Sequence, residues 1–207
     1  MPMPTAALGV ARWGLAVKRG ALAFAAVLLL SPGSTPQAAQ AEPSAPAAPA
    51  PGVRSEVASL LARPEAFPPY ENDWKPLGPA ALGVLEELAS DPKAPSPQRA
   101  RAVTSMAAVD HPQASERLRV LALDSRAQST LRASAATALG LRVGTEAVST
   151  LLPLLEDRDE SVRAAVARTL GRLGGAQVQQ ALEERLPLEE APLVREAIQQ
   201  GLTFVEP

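Results

Sequence analysis

Residues 160–175 read ESVRAAVARTLGRLGG, and residues 129–144 read STLRASAATALGLRVG. Laying Arg132 on Arg163 also lays Leu139 on Leu170 and Gly140 on Gly171. The register continues in both directions. In SPQRARAVTSMAAVDHP (96–112) Arg99 takes the arginine place and Met106 the leucine place; in APLVREAIQQGLTFV (191–205) they are Arg195 and Leu202. Successive arginines lie 33, 31 and 32 residues apart, so the chain repeats one unit four times. Such a period is the mark of a repeat architecture.

Each copy has helical spacing. In 160–173, Val162, Ala165, Val166, Leu170 and Leu173 recur at three- and four-residue steps and share one face. A second helical pattern precedes each: PAALGVLEELAS (79–90), QASERLRVLALD (113–124), TEAVSTLLPLLE (145–156) and AQVQQALEERL (176–186). Turn residues separate the two patterns, as in DPKAPSP and EDRDE, and Gly174-Gly175 closes the third unit. Ser and Thr residues before several helices are placed to cap free N–H groups. One helix pair cannot bury both its apolar stripes, whereas stacked pairs bury a continuous core. The expected fold is therefore all-α, an α-solenoid of about four helix–turn–helix repeats. Alanine-rich stripes and only six aromatics suit closely packed helices.

The stretch VRAAVARTLGRLGG, preceded by LLPLLEDRDES, resembles the HEAT-repeat family, in particular the HEAT-like repeats of phycobilisome-lyase type. Weaker copies stand at 131–144, 99–109 and 194–204, and the resemblance covers roughly residues 79–205. It implies a protein-binding scaffold whose second helices line the concave surface. It also implies a structural ladder, an acid ending one helix paired with an arginine starting the next: Asp91 with Arg99, Asp124 with Arg132, Asp157 with Arg163, and Glu189 with Arg195. The chain departs from the pattern in two places. The first two of these pairs are eight residues apart rather than six, and the last unit has Gly201-Leu202 where Leu-Gly belongs.

The N-terminus reads differently. Arg12, Lys18 and Arg19 precede the apolar run GALAFAAVLLL, then SPGSTP and Ala39-Gln40-Ala41. That order predicts a signal peptide over residues 1–41. The apolar run spans only about 15 Å as a helix, half a bilayer core. Residues 42–52, within AEPSAPAAPAPG, form a Pro/Ala-rich linker. Residues 53–78 are expected to be an N-terminal helix and an aromatic, Pro-rich cap, and 79–207 the repeat domain. Localisation is thus expected to be periplasmic or secreted, with an uncleaved segment 13–30 as an inner-membrane anchor the alternative.

Charge and composition narrow the function. The chain carries 20 basic and 22 acidic residues; all the acids lie beyond Ala41, so loss of residues 1–41 leaves 17 basic against 22 acidic, a net −5. An acidic chain argues against nucleic-acid binding, which rests on phosphate neutralisation. The absence of cysteine excludes disulfides and thiolate chemistry. His111 stands alone in a turn, and the adjacent glutamates 86–87, 183–184 and 189–190 point in different directions from their helices, so no metal or two-carboxylate site is expected. No cofactor and no catalytic residue are expected.

What remains is a charge separation. The second helices (96–109, 129–143, 160–173, 191–205) hold eight arginines and two acids; the first helices hold three arginines and eight acids. Beside the ladder this leaves Arg101, Arg142, Arg168 and Arg172 to line a mildly basic groove for an acidic protein segment or polyanion. Arg142 and Arg172, near helix C-termini, also suit the helix dipole. Phe67, Tyr70 and Trp74 in FPPYENDWKPLGP form the other candidate recognition surface, or fold as a cap over the first repeat, with Phe204 the counterpart at the far end. The expected function is a non-enzymatic protein-interaction scaffold of exported type. The alternatives are a membrane-anchored structural or regulatory subunit, and a lyase-like or DNA-acting enzyme.

Overall fold

A computed structural model describes residues 51–63 and 71–205. The expected signal peptide, most of the linker, and Phe67 and Tyr70 lie outside the described residues. Within them the chain is helical throughout, with no strand. Helix α1 spans Pro51–Ala62 and α2 Glu71–Trp74, so α1 takes in the last two residues of the expected linker. Then come α3 (Ala80–Ser90) and α4 (Ser96–Ser105), α5 (Ala114–Leu123) and α6 (Ser129–Val143), α7 (Val148–Leu151) and α8 (Glu160–Leu173), α9 (Ala176–Arg185) and α10 (Pro192–Val205). These are the four pairs read from the sequence.

The second helices form the spine: α4 packs on α6, α6 on α8, and α8 on α10. They run parallel. Arg163 at the start of α8 reaches Glu189 just before α10, while Gly171 further along α8 meets Gly201 of α10. A methyl group added at Gly171 would stand 2.2 Å from the Gly201 Cα, so this pair of glycines sets how near the two helices come. In the preceding unit Gly140 has the same role, against the Thr169 methyl. The core between the layers is mostly Ala, Val and Leu, with Ile198, Met106 and Trp74, and includes Val103, Leu118, Leu151, Val166, Leu170 and Leu182.

The first helix of the third unit is broken into three pieces. A 3-10 turn (Gly144–Ala147), α7 and a second 3-10 turn (Leu152–Glu156) replace the continuous helix expected over 145–156. Pro153 lacks the N–H an α-helix would need there. Gly144, at φ +58°, ends α6, and Gly174, at φ +71°, ends α8. The run Ser129–Glu156 is long and apolar enough to cross a membrane by length and composition alone. Here it is broken at Gly144, and its arginines 132 and 142 are bound to neighbouring elements.

The ends of the stack differ. At the N-terminal end α1 lies on α3, burying Val57 and Leu61. Trp74 is 2% exposed and packed into the same core. At the C-terminal end, repeat register sets Ala164, Ala167 and Gly171 of α8 against Glu196, Gln199 and Thr203 of α10. The first three are buried and the second three exposed, so polar side chains stand where another repeat would pack. Phe204 does not cover this end as expected: it is 67% exposed.

Candidate functional site

The eight second-helix arginines divide by what each guanidinium touches. The ladder is present, but no expected pair is joined through its acid side chain; Arg163 and Arg195 meet Asp157 and Glu189 only at the backbone carbonyl. Each ladder arginine bonds backbone carbonyls at its own turn, and the first three reach onward to the next unit's turn. Arg99 donates to the Ala89 carbonyl at 2.8 Å and to the Gln128 side chain at 3.1 Å, not to Asp91. Arg132 donates to the Ala127 carbonyl and to Asp157 Oδ1 at 2.7 Å, not to Asp124. Arg163 donates to the Asp157 carbonyl and, through two N–H groups at 2.8 Å each, to both oxygens of Glu189. Arg195, in the fourth unit, donates to the Leu186 and Glu189 carbonyls.

The four acids recur for another reason, which sequence reasoning missed. Asp91, Asp124, Asp157 and Glu189 each accept the backbone N–H two residues on, from Lys93, Arg126, Asp159 and Ala191. They fold the turn between helices, as short acidic side chains do, and an arginine of the preceding unit then binds two of them. Arg185 is a further partner missed: its guanidinium lies 2.7 Å from Glu189, four residues later in the chain, a spacing visible in the sequence. With two arginines and an N–H on it, the buried Glu189 carboxyl is held down at about 2; the Arg163 hydrogen bonds lead, burial opposes, and Arg185 adds to them.

Two of the four groove candidates also belong to the framework. Arg142 donates to the Ala107, Val109 and His111 carbonyls and to the Ser115 hydroxyl. It ties α6 to the turn of the preceding unit, with four of its five N–H donors taken. Arg101 donates to the Arg63 carbonyl at the end of α1. Trp74 is withdrawn from the candidate recognition surface because it is buried. The expected Ser and Thr caps are not formed at α4 and α6; α8 is capped by Asp159, whose carboxylate accepts the Ser161 N–H and is held low chiefly by the Ser161 hydroxyl.

Arg168 and Arg172 are left. Among the described residues neither makes a hydrogen bond or an ion pair, while all three first-helix arginines are paired: Arg117 with Glu86, Arg119 with Glu116, and Arg185 with Glu189. Arg168 and Arg172 lie one turn apart on α8, in a stripe with Ser161 and Ala165 that is half-buried as far as Arg168 and exposed at Arg172. In repeat register Thr137 and Leu141 of α6 stand on one side of them, and Gln200 and Phe204 of α10 on the other. Leu141 is 49% exposed. In that register Arg172 has an exposed apolar residue on each side, Leu141 and Phe204, and Arg168 a polar one, Thr137 and Gln200. No group of three or more potential metal ligands occurs among the described residues.

Known proteins agree with the repeat reading. A family model of HEAT repeats matches residues 119–203. No curated protein matches the chain. Among solved structures, a chain in the complex of CpcE and CpcF of phycocyanin lyase from Nostoc sp. PCC7120 is similar, with a TM-score of 0.52 at 22% identity, over 72% of this chain and 97% of that one. That likeness is one of fold. It corrects one expectation drawn from the sequence: composition and motifs place the chain outside the enzymes, whereas the matched architecture belongs to a lyase complex.

Proposed function

We propose that this chain, a HEAT-repeat protein, works by holding a partner protein against the open stripe of its second helices. One observation carries the reading. Six of the eight second-helix arginines are tied to backbone or carboxylate, and the two that are not stand together on α8. A stack held by its own arginines has no structural use for Arg168 and Arg172, and unpaired charge beside exposed apolar side chains is the ordinary composition of a binding surface. The matched lyase chain was itself solved in a complex of two proteins, which supports a working mode through protein contact. The sequence features of residues 1–41 support action outside the cytoplasm.

The test is photo-crosslinking in the native host. A benzophenone side chain placed at Thr137 or Gln200, on the stripe, should give a discrete adduct with one protein. The same group at Gln180, on the outer surface of α9, should not. Adducts from Gln180 and none from the stripe would overturn the reading.

A second reading has its own observation, the match to phycocyanin lyase. In a lyase-like role the same surface would present a partner to a bound bilin. Mixing the purified chain with a bilin and recording its absorption spectrum tests this: a shifted, chain-dependent band supports the role, and an unchanged spectrum removes it.

A further inference from the structure

We infer that Arg168 and Arg172 are a receptor for two carboxylates one helical turn apart on an amphipathic segment of the partner, whose apolar side chains rest on Leu141 and Phe204. The inference rests on the protein-holding reading above and names the chemistry of what is held.

Spacing comes first. Residues four apart on a helix project side by side, about 6 Å apart at Cβ. Two arginines rooted at that Cβ separation can reach two carboxylates that a partner helix supplies from residues four apart. Each guanidinium offers a planar pair of N–H donors to the two oxygens of a carboxylate. Arg163, on the same helix, already does this to Glu189, at 2.8 Å on each arm.

Availability follows. Arg163, Arg132 and Arg142 are all bonded inside the stack, although the buried Arg132 Nε has no partner among the described residues. Arg168 and Arg172 compete with no internal acceptor, so a carboxylate from outside displaces only water. The second helices hold two acids, Glu160 and Glu196, and neither pairs with them. Glu196 accepts from Gln200 instead.

The apolar contribution distinguishes a protein from other anions. Leu141 and Phe204 are among the few large apolar side chains left in water, and repeat register sets them on either side of Arg172. A phosphate backbone gains nothing from a leucine, while an amphipathic helix buries both. The surroundings also disfavour a polyanion. The first helices carry Glu86, Glu87, Glu116, Glu146, Glu156, Glu183 and Glu184, and a long anion running beyond the two arginines meets a net-acidic molecule.

The probe is a short amphipathic helical peptide with two glutamates four residues apart and leucines on the same face, followed by fluorescence anisotropy. The peptide should bind at least about ten-fold more tightly than its glutamine counterpart, with the advantage shrinking as salt is raised. Arg168→Gln with Arg172→Gln should abolish the difference between the two peptides. Leu141→Ser with Phe204→Ser should weaken both peptides alike. These four side chains are exposed or unbonded, so the variants retain the fold, which circular dichroism checks. Equal binding of the two peptides, no binding of either, or displacement of the acidic peptide by a single-stranded oligonucleotide of similar charge would each overturn the inference. If stripe positions still crosslink a partner in the host, the protein-holding reading stands and only the acidic chemistry falls.

Discussion

Arg163 of α8 grips Glu189 across the gap between the third and fourth units, two N–H donors on two oxygens at 2.8 Å each, with Glu189 only 3% exposed. The pair joins neighbouring units rather than the two helices of one. In a solenoid, stability is the sum of unit and interface contributions, so this ion pair belongs to the interface. Replacing Arg163 by Gln leaves a buried carboxylate held by Arg185 and one N–H. The loss should be about 3 kcal/mol, read as a lower urea midpoint. Unfolding of the last unit ahead of the rest, seen as a second transition, would be the stronger sign that the interface has been cut.

The same pair sets the acid limit of the fold. Glu189 ionises at about 2 in the folded chain, below the ordinary carboxyl value of 4.5. Its depressed value means the folded state favours the charged form. The stabilisation is complete above the unfolded value and fades as pH falls from about 4.5 towards 2, by on the order of 3 kcal/mol in all. Urea midpoints measured from pH 6 to about pH 2.5 should therefore fall in acid. In Glu189→Gln the midpoint starts lower but the acid slope is shallower, because the titrating group is gone. An unchanged slope in that variant would show that other carboxyls govern the acid limit.

The glycines make opposite predictions from one substitution. Gly171→Ala drives a methyl group to 2.2 Å from the Gly201 Cα and 2.8 Å from its carbonyl oxygen, both backbone atoms that cannot turn aside. The helices must move apart, at about 1–3 kcal/mol. Gly83→Ala, inside α3 with nothing within 4 Å, should instead stabilise by about 0.5–1 kcal/mol, the ordinary gain of alanine over glycine in a helix. Thermal melts of the two variants should move in opposite directions from the parent.

How much of this is legible in the sequence differs by feature, and the physics says why. The bounds of α6 and α8 can be read there, because periodicity, Gly144 and Gly174 all mark the same ends. The ladder arginines are legible as a set, but their partners are not. Arg132 has one acid eight residues back and another 25 residues ahead, and both sit at a turn. Only the parallel packing of α6 on α8 brings the farther one within reach. Trp74 reads two ways for a related reason: an aromatic beside prolines looks the same whether it faces water or folds as a cap, and its burial agrees with the cap. Arg142 and Arg172, each in the last turn of its helix, look alike in sequence. What separates them is the turn at Ala107–His111, which lies over Arg142 and has no counterpart bonded to Arg172.

That last contrast is a prediction in itself. Arg142→Ala removes the donor of three backbone carbonyls, at residues 107, 109 and 111, and of the Ser115 hydroxyl. Carbonyls in a half-buried turn that lose their donor cost about 1–3 kcal/mol together once water has entered. Arg168→Ala with Arg172→Ala removes no internal bond and should change stability by less than about 0.5 kcal/mol. Urea denaturation of both variants separates framework from surface. A marked loss of stability in the Arg168, Arg172 variant would mean that these arginines support the stack after all, and the receptor argued for them would lose its ground. A stable variant that no longer crosslinks its partner would leave them with recognition as their one task.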